Sequence, residues 1–179
     1  MSNIQLRDMV ESDAEFIADY WLNSDPDFLI SMGVDLDKLP PREGLINMLK
    51  AQVNKPDQEK ASLAQILVID GKPSGHCNVN EIEYGVSAKM HLHIWNASDR
   101  KSGVGTQMVK KAIPVFFDRL KIKTLWCEPA ANNPAPNKTL PKLGFEFVKS
   151  HVVVPGSLCF KQEANLYELT SDNYEAYYL

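Results

Sequence analysis

This 179-residue chain is poor in cysteine, carries no extended apolar run and shows no cluster of basic residues. Each absence excludes something. Its three cysteines, Cys77, Cys127 and Cys159, are odd in number and lack Cys-x-x-Cys spacing, which argues against both a disulfide framework and a zinc knuckle. They read as core thiols. No apolar stretch approaches the ~20 residues that cross a bilayer, and Met1-Ser2-Asn3 does not open a signal pattern, so a cytoplasmic protein without a membrane partner is expected. With 19 Lys and Arg against 23 Asp and Glu, the net charge of −4 disfavours nucleic acid and suits a cationic partner. What is present, 44% hydrophobic and 23% charged residues, is the composition of an ordinary globular chain, read as a single domain over 1–179.

The most informative stretch is Arg100-Lys101-Ser102-Gly103-Val104-Gly105, between the β-type run Met90-His91-Leu92-His93-Ile94-Trp95 and an amphipathic helix. Glycines let the backbone approach a ligand, a helix N-terminus offers unpaired N–H groups and a positive dipole end, and Arg100 and Lys101 add charge. The segment, with Ile94, Trp95 and Thr106 at its flanks, implies an anionic, pyrophosphate-bearing ligand. A Walker loop needs Gly-Lys-Ser/Thr, whereas Gly105 is followed by Thr106-Gln107; a dinucleotide fingerprint needs a third small residue where Met108 stands. The plainer alternative is a strand–turn–helix corner with glycine for geometry only.

Thirty residues on comes Asn133-Pro134-Ala135-Pro136-Asn137-Lys138-Thr139-Leu140-Pro141-Lys142-Leu143-Gly144-Phe145, and the chain opens with Ile4-Gln5-Leu6-Arg7-Asp8 before Asp13-Ala14-Glu15-Phe16-Ile17. The three segments in this order resemble the acetyl-coenzyme A loop, the pantetheine-side helix and the opening of the GNAT N-acetyltransferase superfamily, in particular its ribosomal-protein-N-acetyltransferase-like branch. The resemblance implies an α/β sandwich with a mixed, mostly antiparallel central sheet flanked by helices. It also implies acetyl-CoA as cofactor, with Asn133, Asn137 and Lys138 beside it. Residues 25–60 match no motif of the family.

The coarse periodicity agrees with that order. Strands are expected at 4–6, 63–69, 75–82, 89–95, 123–128, 145–154 and 165–169. Helices are expected at 13–22, with Phe16, Ile17, Tyr20 and Trp21 on one side and Ser12 or Asp13 as cap, and at 42–52. A third spans 104–119, with Val104, Met108, Val109, Ala112, Ile113, Phe116 and Phe117 as buried stripe and a kink at Pro114; a short fourth covers 136–143.

An amine acceptor must lose a proton before it attacks a thioester. His91 and His93 share a strand face, and an imidazole suits proton transfer near neutral pH, so His93, nearer the loop, is the candidate base and His91 is expected to be structural. Glu81 and Glu83, at the end of the preceding strand, are the rival bases; Glu128 is a third. A metal site on the histidine pair would need His76 or Glu81 as another ligand, but no second tight ligand pair exists and none is expected. The resemblance also implies a tyrosine two residues before Lys142 as acid for the thiolate; Leu140 stands there, with Tyr84 as a substitute. These residues point to an N-acetyltransferase acting in a ternary complex on a peptide N-terminus or a small amine, as monomer or homodimer. The alternatives are a GNAT-fold module that binds acyl-CoA without transfer, or a metal-dependent hydrolase. Phe28, Leu29, Ile30 and Met32 make the 25–60 insertion apolar enough to close over the reactive end as a lid.

Overall fold

The computed structural model describes residues 3–100 and 103–179. Seven strands, β1 (Ile4–Asp8), β2 (Leu63–Ile69), β3 (Lys72–Glu83), β4 (Ser87–Ile94), β5 (Thr124–Cys127), β6 (Glu146–Val153) and β7 (Gln162–Thr170), form one sheet in the order β1-β2-β3-β4-β5-β7-β6. Every pairing is antiparallel except β4–β5. That parallel pair needs a crossover, supplied by helix α4 (Val104–Leu120). The expected mixed, mostly antiparallel sheet flanked by helices is therefore observed.

Alternation in β3 and β4 decides what each side of the sheet is for. Cys77, Val79, Ala88 and Met90 point to one face and are at most 2% exposed; they pack with Met108, Ile113 and Phe116 of α4 in the main core. All seven residues expected on the buried stripe of α4 are buried. The helix continues through Pro114 without a break, because Lys110, whose carbonyl proline leaves unbonded, is exposed to water. On the other face stand His76, Asn78 and Asn80, paired in register with His93, His91 and Lys89. Helix α1 (Asp13–Asn23) lies over this polar face, Tyr20 meeting His76 and His93 edge-on or tilted, and α3 (Arg42–Val53) packs beside α1.

Three local expectations are corrected. Phe16 is 46% exposed and stacks on Trp95 instead of joining the buried side of α1, which is built from Ala14, Ile17, Ala18 and Tyr20. Neither Ser12 nor Asp13 caps α1 by its own side chain as expected; Asp13 is buried, accepts the Val10 N–H and holds Arg7 through two bonds at 2.6 and 2.8 Å. Two helices were not anticipated: α2 (Pro26–Ser31), capped by Asp25, and α6 (Ser171–Tyr178), capped by Thr170. Helix α6 closes the main core, with Tyr174 stacked on Phe117 at 4.3 Å. The short helix at 136–143 divides into α5 (Pro134–Thr139) and a 3₁₀ turn over Leu140–Leu143 that ends at Gly144.

Candidate active site

The site begins where the sheet parts. β4 and β5 pair from Ser87↔Thr124 to Met90↔Cys127 and no further, so His91–Ile94 run on without a partner on that side. Open parallel strands place their ligand crevice at the carboxyl ends, and a cleft of about 1290 Å³ lies here. The Trp95 N–H bonds the Ser74 carbonyl on the β3 side; by strand alternation, the backbone groups of Leu92 and Ile94 face the open edge.

The N-terminus of α4 faces the same opening. Gly103 precedes it with φ of 81°, a left-handed conformation that favours glycine, and no side chain caps the helix. The first intrahelical bond in which the cap takes part is Gln107 N–H to the Gly103 carbonyl, which leaves the Val104, Gly105 and Thr106 N–H groups of the first turn without an intrahelical acceptor among the described residues. A Cβ on Gly105 would stand 3.3 Å from Ile94 Cδ1, so a larger residue would press into the strand edge beside the cleft. The geometry is that of an anion site. Gly103, Gly105, Thr106, Ile94, Asn133 and Lys138 all line the cleft. Lys101 and Ser102 lie outside the described residues.

Three residues expected at the cofactor are committed elsewhere. Arg100 turns back from the loop: Nε and Nη2 bond the Ile94 carbonyl at 3.1 and 3.0 Å, Nη2 also bonds the Trp95 carbonyl, and the guanidinium lies 3.8 Å from the Phe28 ring centre. It braces the loop and ties α2 to it. Trp95 has both backbone groups in use and its indole N–H donates to His76 Nδ1 at 2.8 Å, so it supports the polar face and is not among the residues lining the cleft. The Asn137 amide is spent inside the fold, donating to the Ala130 and Asn133 carbonyls and accepting from Asn165 and Tyr167. Asn133 caps α5 by accepting the Ala135 N–H.

The histidines form the floor. Because the Trp95 indole donates to His76 Nδ1, that nitrogen carries no proton and His76 is neutral; burial, with a smaller contribution from His91, pushes its pKa down to about 3. His93 stacks on His76 at 4.8 Å, meets Trp21 edge-on at 4.8 Å, and its Nδ1 lies 3.3 Å from Tyr20 Oη. Burial, then the His76 and His91 rings, holds His93 well below its ordinary value. His91 Nε2 lies 2.9 Å from Asn80 Oδ1, and its pKa is pushed down to about 4, chiefly by burial and then by Lys89. The floor is thus polar but uncharged at neutral pH.

The carboxylates are placed differently from expectation. A register shift between Asn80 and Glu83 puts Glu81 at φ 47° with its side chain 59% exposed, ion-paired to Lys89 at 3.2 Å; Glu83 pairs with Ser87 at the hairpin end. Among the described residues lining the cleft neither appears, nor does Tyr84. Among the described residues two carboxylates do line it, Asp8 and Glu128; Glu128 is 5% exposed and held by Lys89 at 3.2 Å and by His151. Leu140 is buried in the core. No three His, Cys, Asp or Glu side chains among the described residues converge to hold a metal ion. Cys77 is buried, but Cys127 and Cys159 are only partly so and line the cleft; burial pushes the Cys127 thiol up to about 12, so it stays protonated.

Further residues complete the site. Tyr20 and Trp21 of α1 form one wall with Phe28 and Met32, two of the insertion residues expected to close over the reactive end; the loop that covers them was not anticipated. The loop 155–159 forms the roof and is stitched to the insertion: Asp35 N–H bonds the Leu158 carbonyl at 2.8 Å, Phe160 N–H the Gly33 carbonyl, and Lys38 Nζ the Cys159 carbonyl. The repeated polar alternation His76-Asn78-Asn80 and Lys89-His91-His93 was the available signal for the floor.

A family model of the acetyltransferase (GNAT) domain matches residues 3–146. No curated protein sequence matches the chain. Solved structures resemble it across nearly the whole length. The spermidine N-acetyltransferase of Vibrio cholerae, in complex with coenzyme A and spermine, has a TM-score of 0.77 at 16% identity, covering 96% of this chain and 98% of that one. RimL, a ribosomal alpha-N-protein acetyltransferase in complex with coenzyme A, has a TM-score of 0.76 at 14% identity and 95% coverage of both. An aminoglycoside acetyltransferase with coenzyme A and kanamycin has 0.73 at 17%, covering 97% and 98%. No helix among the described residues is long and apolar enough to cross a membrane.

Proposed function

Since this chain belongs to the GNAT acetyltransferase family, we propose that it moves an acetyl group from acetyl-coenzyme A to a primary amine by direct attack. One observation carries the reading: the uncapped N-terminus of α4 opens beside the unpaired edge of β4 beyond Met90. The N–H groups of Val104, Gly105 and Thr106 would hold the pyrophosphate, with Lys138 adding charge, and the Leu92 backbone with the Ile94 N–H, on the strand edge that β5 leaves open, suits the amides of the pantetheine arm. Coenzyme A bound to related folds supports this. The bound cofactor supplies the acyl thioester.

The transfer forms a C–N bond and breaks a C–S bond; the amine gives up a proton and the departing sulfur gains one. His93 is the acceptor for the amine's proton. It is kept neutral by its surroundings; with the Tyr20 hydroxyl donating to Met32 Sδ, His93 Nδ1–H would donate to Tyr20 Oη, which leaves Nε2 unprotonated as the working nitrogen. With Leu140 buried where a tyrosine acid would stand, the thiolate leaves without a tyrosine from that position. The same buried leucine favours the second reading, a coenzyme A-binding module without transfer.

Calorimetric titration with coenzyme A and a turnover assay separate these. Gly105→Glu abolishes binding if the loop holds the pyrophosphate, and undiminished affinity in that variant overturns the cofactor assignment. His93→Ala is expected to lower kcat by about 10²-fold with coenzyme A affinity retained. Unchanged kcat moves the base elsewhere, and binding without turnover of any amine establishes the second reading.

A further inference from the structure

We infer that the acceptor is a primary amine whose neighbouring group is aromatic or branched-aliphatic and which carries no second positive charge. This deepens the acetyltransferase reading and rests on it. Tyr20 and Trp21 meet the His93 ring, Phe28 meets Tyr20 edge-on and Met32 accepts from the Tyr20 hydroxyl, while Met48 and Leu49 of α3 line the same cleft, so this side of it is apolar. Such a wall rewards an apolar substituent by removing it from water and offers nothing to an ammonium except ring faces.

The charges of the site point the same way. Among the described residues lining the cleft there are two carboxylates, Asp8 and Glu128, against four cations, Lys60, Arg100, Arg119 and Lys138. Both carboxylates are already engaged: Asp8 takes Arg119 at 3.0 Å and the Gln65 amide, and Glu128 takes Lys89 and His151. The acidic residues of the first helices turn outward or cap. Glu15 and Asp19 both pair with Arg42 on the outer surface, and Asp25 caps α2. The cation closest to the aromatic wall is the protein's own, with Arg100 seated 3.8 Å from the Phe28 ring centre. A second ammonium entering here would lose its water beside Arg100 with no free carboxylate to receive it, a cost the single reacting amine avoids by giving up its proton. The stitched roof adds a steric condition. Residues 33–38 and 158–160 are joined by main-chain bonds over the polar floor, so the amine must arrive at the end of its chain, not from the middle of a folded surface.

Two sources present this chemistry, a small arylalkylamine and a peptide whose first residue is apolar, and the test distinguishes them. Wild-type protein with acetyl-CoA is assayed by thiol release against phenethylamine, tryptamine and short peptides beginning with Phe, Leu or Met. Spermine, kanamycin and a peptide beginning with Lys are run in parallel. The apolar amines are expected to exceed the polycations in kcat/KM by about 30-fold or more, the range that burial of one ring against an apolar wall supplies. Activity on the small amines alone or on the peptides alone identifies the source. Met48 is 56% exposed and tolerates change, so Met48→Glu adds the missing carboxylate without opening the core. It is expected to raise kcat/KM for spermine and lower it for phenethylamine. Trp21→Ala should raise KM for the aromatic amine while the calorimetric affinity for coenzyme A stays the same. Spermine or kanamycin used as well as the best apolar amine overturns the inference, as does a panel with no turnover while coenzyme A still binds. Failure to bind coenzyme A defeats the acetyltransferase reading itself.

Discussion

The two faces of the β3–β4 hairpin are made from the same twenty or so residues of chain and have opposite tasks. One face, Cys77, Val79, Ala88 and Met90, is sealed against α4 and holds no polar side chain. The other carries His76, Asn78, Asn80, Lys89, His91 and His93, and its polar atoms are mostly bonded to one another and to α1 and Trp95. The apolar face gains stability in proportion to the area it removes from water. The polar face gains little and risks much, since each buried donor or acceptor must keep its partner. Its return is a floor of neutral imidazoles beside the gap between β4 and β5.

That comparison is broken or sharpened by four measurements. The largest effect should come from the apolar face: Met90→Ala leaves a cavity against α4 and is expected to cost about 2–5 kcal/mol in urea unfolding. A cost below about 1 kcal/mol would mean that the two faces do not divide stability in this way.

Next in size is the pH dependence. His76 has its folded pKa pushed down to about 3 from an ordinary 6.5, so the unfolded chain binds a proton that the folded one refuses. The contribution is fully present above pH 6.5 and is lost as pH falls toward 3, by up to about 1.4 kcal/mol per pH unit. His91, pushed down to about 4, adds in the same direction. Unfolding midpoints at pH 7.5 and pH 5 should therefore fall in wild type and fall less in His76→Gln. An equal fall in both would show that His76 is not the group titrating.

Trp95→Phe keeps the ring beside Phe16 but removes the N–H that His76 accepts. A cost of about 1–2 kcal/mol is expected, with the His76 resonance in NMR titrating at higher pH than in wild type because Nδ1 is freed. No stability change together with an unmoved titration would dissolve the link between the two side chains. The smallest effect belongs to neither face: Arg42→Ala removes ion pairs to Glu15 and Asp19 that sit in water, and its melting temperature should match wild type within scatter.

Long periodic elements were readable in the sequence. The stripe of α4 repeats its apolar residues at helical spacing for four turns, and β2 appears with the bounds expected for it. The turn into α4 was readable because Gly103 and Gly105 stand between a strand and a helix, an arrangement in which backbone N–H groups are available to an anion. Side-chain roles were less readable. Arg100 and Asn137 sit in the right motifs, yet one closes on the Ile94 and Trp95 carbonyls and the other on Ala130, Asn133, Asn165 and Tyr167. A motif states which residue types lie near a ligand, and not which of them the fold has already used. Glu81 and Glu83 failed for a similar reason: a one-residue slip in an antiparallel register reverses which face a side chain takes.

The sequence by itself determined the alternation of strands and helices, the glycine-bearing turn into α4 and the pairing of polar with apolar positions along β3 and β4. All of these depend on neighbours within a few residues and on the periods 2.0 and 3.6. Only the tertiary structure decided that β4 outruns β5 at Met90, that Tyr20 and Trp21 come to stand over His93, and that residues 33–38 fasten to the loop before β7. The β4–β5 pairing joins Met90 to Cys127 across the whole of α4, and the other contacts join segments more than seventy residues apart in the chain. Which of the polar groups remains free for chemistry is settled by burial and by competition among all possible partners, and no local spacing records the outcome.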